Sequence, residues 1–515
     1  MPRIPLLVLC CAVFAHAAVN VAQYRPHDFT FQAKVDGNPF QVEVYGEFTG
    51  PSGARLRVPG FYDGEGTWKI RFMAPQPGEW ALRTVSPVAA LHGKSESMTA
   101  SASTNSRVHG RLRIDPDHPY HFRFEDGTRF FLMGYEADWL GLAGMTDPAR
   151  AVMRRMISHM DDRGFNYVLV NVYAHDTRWA PGKSCEYDHG PPALYVFEGT
   201  NEKPDHSRLN TEFFRRYDVM MEALLERGIV AHMMLKVYNK AVNWPANGSA
   251  EERQYFRYVT ARYQAYPNLV WDFSKESFKE PDDKLQRSLI DLVRAEDAYG
   301  HLTTAHDDDN YEWDAEMSRN LDFRMDQYHE GDYAGITAFD RAMRSRPVVN
   351  AEFGYEYGVE KLPTHAHKNM SDWKEFLRRA YVISFAGGYV VYYYNNTAWD
   401  VLRPDPEPPG MARWQTLKNT LSSLPYWRMS PCPERALGGP ALCEAGGGAF
   451  AAYVPGANIT INLRHLRAGA KVHWVNTWTG EKVPAEAVEP KVMRLRKPGA
   501  IGDAPAILVV SPDAS

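Results

Sequence analysis

The chain has 515 residues, a formal net charge of −5, 44% hydrophobic residues and 23% charged residues. A chain of this length predicts two to four domains of an ordinary globular, water-soluble kind. The near-neutral balance, with no run of Lys or Arg, excludes a phosphate-tracking groove and hence a nucleic-acid partner.

The N-terminus reads as an export signal over residues 1–17. Arg3 supplies a basic start, residues 4–14 an apolar run, and Ala15-His16-Ala17 a small-x-small cleavage site. That predicts a periplasmic or secreted protein. No later segment reaches the roughly 18 unbroken apolar residues that a membrane span needs. Beyond the leader stand Cys185, Cys432 and Cys443. In an oxidising compartment Cys432 and Cys443, separated by a Gly/Pro-containing loop, are the expected disulfide, and Cys185 is expected as a free buried thiol.

Residues 18–110 predict an all-β module. Alternation in 29–33 and 40–45 is interrupted by turn clusters such as Asp36-Gly37-Asn38-Pro39, and short strands at this spacing suggest a sandwich. From 118 to 427 strand and helix alternate, which predicts parallel βα units. Candidate strands fall at 130–135, 167–173, 229–235, 269–273, 302–306, 322–328, 348–351 and 389–394. Helices are expected at 148–161, 211–227 and 371–385, and an extended loop at 177–208. Eight such strands make a (β/α)8 TIM barrel. After Pro425 the helical period disappears, and residues 428–515 predict a second small β-sandwich with a hairpin at 472–480.

In such a barrel the residues at strand C-termini surround the active-site mouth. Two strands end in a carboxylate with the same grammar. The run Asn268-Leu269-Val270-Trp271-Asp272-Phe273 leads to Glu276, and Pro347-Val348-Val349-Asn350-Ala351 leads to Glu352. A solvated loop Glu is the bland alternative for either one alone. Two facing each other suit glycosidic bond cleavage, where one carboxyl protonates the leaving oxygen and the other, about 5–5.5 Å away in retaining enzymes, attacks the anomeric carbon. Their pKa values must be pushed apart by different neighbours.

Around this pair the candidate substrate-binding residues are Glu136, Asp138 and Trp139 after the first strand, and Asn171 and His175 after the second, with Tyr173 between them. His306 follows on the fifth strand, Tyr328 and His329 on the sixth, Glu356 beyond the seventh, and Trp399 after the eighth as a platform under a sugar ring. Aromatics at 13% of the chain, with 13 Trp and 28 Tyr, suit sugar stacking, although β-rich cores use them too. No metal or cofactor is expected. Asp307-Asp308-Asp309 lacks calcium-loop spacing, and His175 with His232 lacks metal-ligand spacing. Dinucleotide, P-loop and Gly-x-Ser-x-Gly fingerprints are missing from the sequence.

Several stretches resemble a known family. Asp126-Gly127-Thr128-Arg129-Phe130-Phe131-Leu132-Met133-Gly134 with Trp139, Gly164-Phe165-Asn166-Tyr167-Val168, and Leu209-Asn210 with Phe214 and Asp218 look like apiosidase-like glycoside hydrolases, of the broader clan-A style. The run Val58-Pro59-Gly60-Phe61-Tyr62-Asp63-Gly64 resembles the N-terminal module that precedes such barrels, and Trp474-Val475-Asn476-Thr477-Trp478-Thr479-Gly480 matches their C-terminal module. The resemblance implies that Glu352, in Glu352-Phe353-Gly354-Tyr355-Glu356, is the nucleophile and Glu276 the acid/base. Ser274-Lys275-Glu276 departs from the family pattern, which has an Asp after two glycines, and from the Asn that precedes the clan's Glu. The function expected is an exported retaining glycoside hydrolase of a polysaccharide or oligosaccharide. The alternatives are a non-catalytic carbohydrate-binding barrel, or an inverting or eliminating enzyme on acidic sugars.

Overall fold

The computed structural model describes residues 19–146, 151–175, 187–280, 282–306, 321–329, 331–358, 369–397, 401–446, 448–466 and 470–511. The leader, Cys185, the Asp307–Asp309 run and Trp399 lie outside the described residues. Two compact units divide the chain, one up to Thr104 and one from Asn105 onward.

The first unit is all-β. One sheet orders its strands Val19–Ala22, Ser95–Ser101, Gly78–Val85, Tyr45–Thr49 and Arg55–Pro59; the other orders Pro26–Gln32, Thr67–Met73 and Phe61–Tyr62. Alternation sends Phe29, Phe48, Ile70, Phe72, Trp80 and Leu82 into a shared core, where the Phe48 and Phe72 rings stack at 3.8 Å. The strand expected at 40–45 begins only at Tyr45. Pro39–Gln41 is a 3-10 turn, because Pro39 has no N–H for a ladder and the Asn38 side chain accepts a hydrogen bond from the Phe40 N–H.

The second unit contains eight parallel strands: β1 (Met133–Glu136), β2 (Tyr167–Asn171), β3 (Val230–Val237), β4 (Leu269–Lys275), β5 (Thr303–Thr304), β6 (Arg324–Asp326), β7 (Val348–Asn350) and β8 (Tyr389–Tyr392). Their order in the sheet is β5-β4-β3-β2-β1-β8-β7-β6. The sheet curls until its two edges meet. A bridge joins His306 to Met325, and the Asp322 N–H donates to the Thr303 carbonyl at 2.9 Å. This is the TIM barrel expected from the alternation of elements.

Apolar runs build the strands because both faces are buried, one against the barrel interior and one against helices. On β4, Trp271 donates from Nε1 to Asp297 at 3.1 Å, and Phe273 stacks on Phe256 of the helix Ala250–Tyr263. Asp272 faces inward instead, where His232 Nε2 lies 2.5 Å from its Oδ2 and the Tyr167 hydroxyl 2.6 Å from His232 Nδ1. Asn210 caps the helix Thr211–Glu226 by accepting from the Glu212 and Phe213 N–H groups.

Within the expected loop 177–208 the described part folds into an antiparallel hairpin, Phe197–Thr200 with Lys203–Leu209. Its mostly charged and half-exposed residues hide the period that marks a strand. At the C-terminal end of the chain a six-stranded and a three-stranded sheet pack over Phe450, Ile459, Ile461, Trp474, Leu508 and neighbouring apolar residues. A disulfide joins Cys432 to Cys443. In the hairpin at 472–480 the Asn476 side chain accepts from the Trp478 N–H at 2.9 Å, and the Trp478 ring meets Trp373 of the helix Trp373–Phe385 at 5.3 Å. No described helix is long and apolar enough to cross a membrane.

Candidate active site

At the C-terminal mouth of the barrel β1, β4, β7 and β8 bring their ends together. β4 runs two residues beyond Phe273, where the sequence pattern stops it, and its last residue is Lys275. Lys275 is 1% exposed. Its Nζ bonds Glu136 and lies 3.4 Å from both Asp138 Oδ1 and Glu352 Oε2. The Tyr393 hydroxyl, one residue past β8, donates to Asp138 Oδ2 at 2.7 Å.

Glu352 is surrounded further. The Tyr355 hydroxyl donates to its Oε1, His329 Nε2 stands 3.4 Å from the same oxygen, and His306 Nε2 stands 3.6 Å from Oε2. Burial alone would raise this carboxyl's pKa. Lys275 and then His329 outweigh it and hold the group well below the usual carboxylate range. Glu136 goes the other way: burial pushes it well above that range against the pull of Lys275, with Asp138 and Glu352 adding to the rise. Burial, joined by Lys275, keeps His306 neutral. Equal groups in one cluster are thus driven to different protonation states.

Glu276 directly follows Lys275. In an extended strand consecutive side chains point to opposite faces, so both could not serve one mouth. The chain leaves the strand there: Glu276 sits in the left-handed region, φ 55° and ψ 52°, an uncommon conformation for a residue with a Cβ. Neighbours hold the turn: the Ser277 N–H donates to the His306 carbonyl at 3.0 Å, and Gln286 Nε2 donates to the Ser277 carbonyl at 3.0 Å. The Asn239 amide, two residues past β3, donates to Glu276 Oε1, and Lys279 Nζ lies 2.5 Å from Oε2. Burial, then Glu352, drive the Tyr355 hydroxyl well above its ordinary pKa.

The other sequence-predicted residues divide into two groups. Glu136, Asp138, Asn171 and His306 are fully buried at the strand ends. Among the described residues, Glu136 Oε2, both Asn171 amide atoms, both His306 ring nitrogens and Trp139 Nε1 have no hydrogen-bond partner. Trp139 is entirely buried and offers no open ring face. His175 stacks on Tyr195 at 5.9 Å, Tyr173 packs against Phe213, and Tyr328 meets Tyr333 edge-on at 5.8 Å.

Glu356 sits away from the Glu352 cluster. It accepts from the Tyr392 hydroxyl at 2.9 Å and the Gly410 N–H at 2.8 Å, on the side where Tyr392 packs against Trp414. Burial pushes it up to about 7 from an ordinary 4.5. The folded state therefore binds a proton that the unfolded chain releases near pH 4.5. Stability contributed by the protonated form is present below that pH and is lost as pH rises through 7. The melting temperature should fall between pH 5 and 8, and Glu356→Gln should flatten that fall, recovering on the order of 2–3 kcal/mol at pH 8. Thermal melts of both proteins across that range check it; an equally steep fall in the variant contradicts it.

Asn239, Lys275 and Tyr393 are among the contacts that sequence patterns did not single out as site residues. Each lies at or within two residues of a strand C-terminus, which was the one available signal.

A closed parallel barrel with carboxylates gathered at its C-terminal mouth is the arrangement in which barrel enzymes place their active sites. Residues 117–428 match the model of the apiosidase-like catalytic domain, and the chain belongs to that family. Residues 20–87 match a domain of unknown function, DUF5060. No curated protein matches the chain. Among solved structures, a Bacteroides vulgatus protein assigned provisionally as a glycoside hydrolase aligns with TM-score 0.78 and 21% identity, over 96% of this chain and 99% of that one. A glycoside hydrolase family 5 protein from Bacteroides vulgatus aligns with TM-score 0.61 and 19% identity, over 79% of this chain and 94% of its own. At these identities the likeness establishes the fold. Fold and family membership together support a glycosidase.

Proposed function

We propose that the chain is an exported retaining glycoside hydrolase that cleaves a polysaccharide or oligosaccharide, with Glu352 as nucleophile and Glu276 as acid and base. The observation that carries this is the environment of Glu352, a buried carboxylate on which Lys275, His306, His329 and Tyr355 converge and which they keep ionised. A nucleophile must be ionised and aimed before the substrate arrives. In the first step a Glu352 oxygen bonds the anomeric carbon while the glycosidic C–O bond breaks, and Glu276 gives its proton to the departing oxygen. In the second, Glu276 takes a proton from water, the water oxygen bonds the anomeric carbon, and Glu352 leaves as carboxylate.

The unmet polar atoms of Glu136, Asn171 and His306 support sugar hydroxyls as their missing partners, since buried polar groups are rarely left unpaired. Lys275 is already held by Glu136, Asp138 and Glu352, so a uronate there would bring a further negative charge to a cation with no free N–H; that favours a neutral sugar over an acidic one. The Cys432–Cys443 disulfide supports export to an oxidising compartment.

The test is stereochemical. Purified protein is screened on 4-nitrophenyl glycosides and on plant, algal and microbial polysaccharides, and the first product is read by proton NMR before it mutarotates. A first product with the substrate's anomeric configuration is expected. An inverted first product would replace double displacement with single displacement. Sugar binding with no cleavage of any substrate would favour a carbohydrate-binding protein.

A further inference from the structure

The proposed chemistry names two glutamates, yet the most constrained ion at the mouth is a lysine. Lys275 Nζ touches Glu136, lies 3.4 Å from Asp138 and 3.4 Å from Glu352, and stands 5.4 Å from the centre of the Tyr393 ring. Glu136 and Asp138 belong to β1 and the residues just after it, and Glu352 follows β7, so one buried ammonium on β4 ties three strand ends together. An ammonium has three N–H groups, one for each carboxylate.

We propose that Lys275 is a positioning residue for the reaction: it keeps Glu352 ionised and turned toward the anomeric carbon, while Glu136 and Asp138 anchor the ammonium. The proposal rests on Glu352 being the nucleophile. The groups facing Glu352 come from every element around it. They are Lys275 on β4, His306 after β5, His329 after β6, Tyr355 after β7, Tyr393 after β8, and Glu136 and Asp138 with β1. Glu136 and Asp138 can only disfavour its charge. The two tyrosines donate hydrogen bonds or pack but carry no charge. His306 is kept neutral by burial and by Lys275 itself, and the His329 side chain is 22% exposed, so solvent screens its field at Glu352. Lys275 is thus the permanent buried cation, among the described residues, within reach of Glu352.

Its anchoring also fits both steps. When Glu352 bonds the sugar its charge is cancelled, and an ammonium dedicated to it alone would be stranded in a buried site. Here Glu136 and Asp138 still hold the ammonium. The same cation then favours the return of Glu352 as a free carboxylate when water attacks.

The experiment uses the full chain and the 4-nitrophenyl glycoside that the wild type hydrolyses fastest. Lys275→Gln and Lys275→Met are assayed for kcat and KM across pH, with circular dichroism to verify folding. Removing the cation raises the Glu352 pKa, so the acidic limb of kcat/KM should move up by about one unit or more. The turnover number should fall while KM changes much less. A second comparison places Lys275→Met in a Glu136→Gln, Asp138→Asn background, which removes the two carboxyl groups that the lysine would otherwise leave without their partner, and reads it against that double variant. The limb should remain shifted.

An unshifted limb in Lys275→Gln overturns the proposal. So does a normal limb in the triple variant, which would mean that Lys275 merely neutralises Glu136 and Asp138. A wrong choice of nucleophile shows separately, as turnover that survives Glu352→Gly.

Discussion

Replacing Glu352 by glycine is expected to lower kcat by at least ~10⁴-fold, and added azide is expected to restore product release from a 4-nitrophenyl glycoside. The loss corresponds to about 5 kcal/mol of barrier, the scale seen when a nucleophile is removed from a preorganised site. Glycine leaves a hole beside the anomeric carbon, lined by Lys275, His306, His329 and Tyr355. Azide is a small anion that fits such a cationic, hydrogen-bonding hole. Its nitrogen would bond the anomeric carbon as the nitrophenolate leaves, giving a glycosyl azide of configuration opposite to the substrate. The measurement is nitrophenolate release with and without azide, together with the identity of the sugar product. Turnover at the wild-type rate without azide would remove Glu352 from the role.

The second large effect is expected at Glu276. Glu276→Gln should lower kcat/KM by about 10²–10⁴-fold on substrates with poor leaving groups, and far less on a dinitrophenyl glycoside, which departs without a proton. The position suits the role. Glu276 follows the last residue of β4 in a left-handed turn, the Asn239 amide fixes one of its oxygens, and Lys279, partly in solvent, faces the other. Glutamine keeps the bond-forming capacity toward Asn239 but has no proton to give and cannot take one from water. A Brønsted plot of rate against leaving-group pKa should steepen in the variant. An equal loss on all leaving groups would count against an acid role and point to a fault in binding or folding.

Much of the fold was legible because the barrel's strands are buried on both faces. Runs such as Leu269-Val270-Trp271 and Val348-Val349 are too short and too apolar for exposed helices, and the amphipathic helices between them repeat with a different period. Legibility faded where local pattern and tertiary role part company. β4 continues through Ser274 and Lys275, polar residues that look like the end of a strand but are buried by partners far away in sequence. Residues 40–45 alternate as a strand would, yet Asn38 and Pro39 turn the chain first.

Strand-end placement was likewise enough to bring Glu136, Asp138, Asn171, His306, His329 and Glu352 to notice. It could not separate Glu352 from Glu356, four residues on, which accepts hydrogen bonds from Tyr392 and Gly410 instead. Nor could it show Trp139 closed off from the surface.

Sequence by itself determined that strands and helices alternate into a parallel barrel, and which carboxylates stand where its strands end, because period and burial are written locally in the order of apolar residues. Only the tertiary structure decided which of those carboxylates is ionised. Lys275 stands 139 positions from Glu136 and 77 from Glu352 along the chain, and their charges are set by distance and burial that no local pattern encodes.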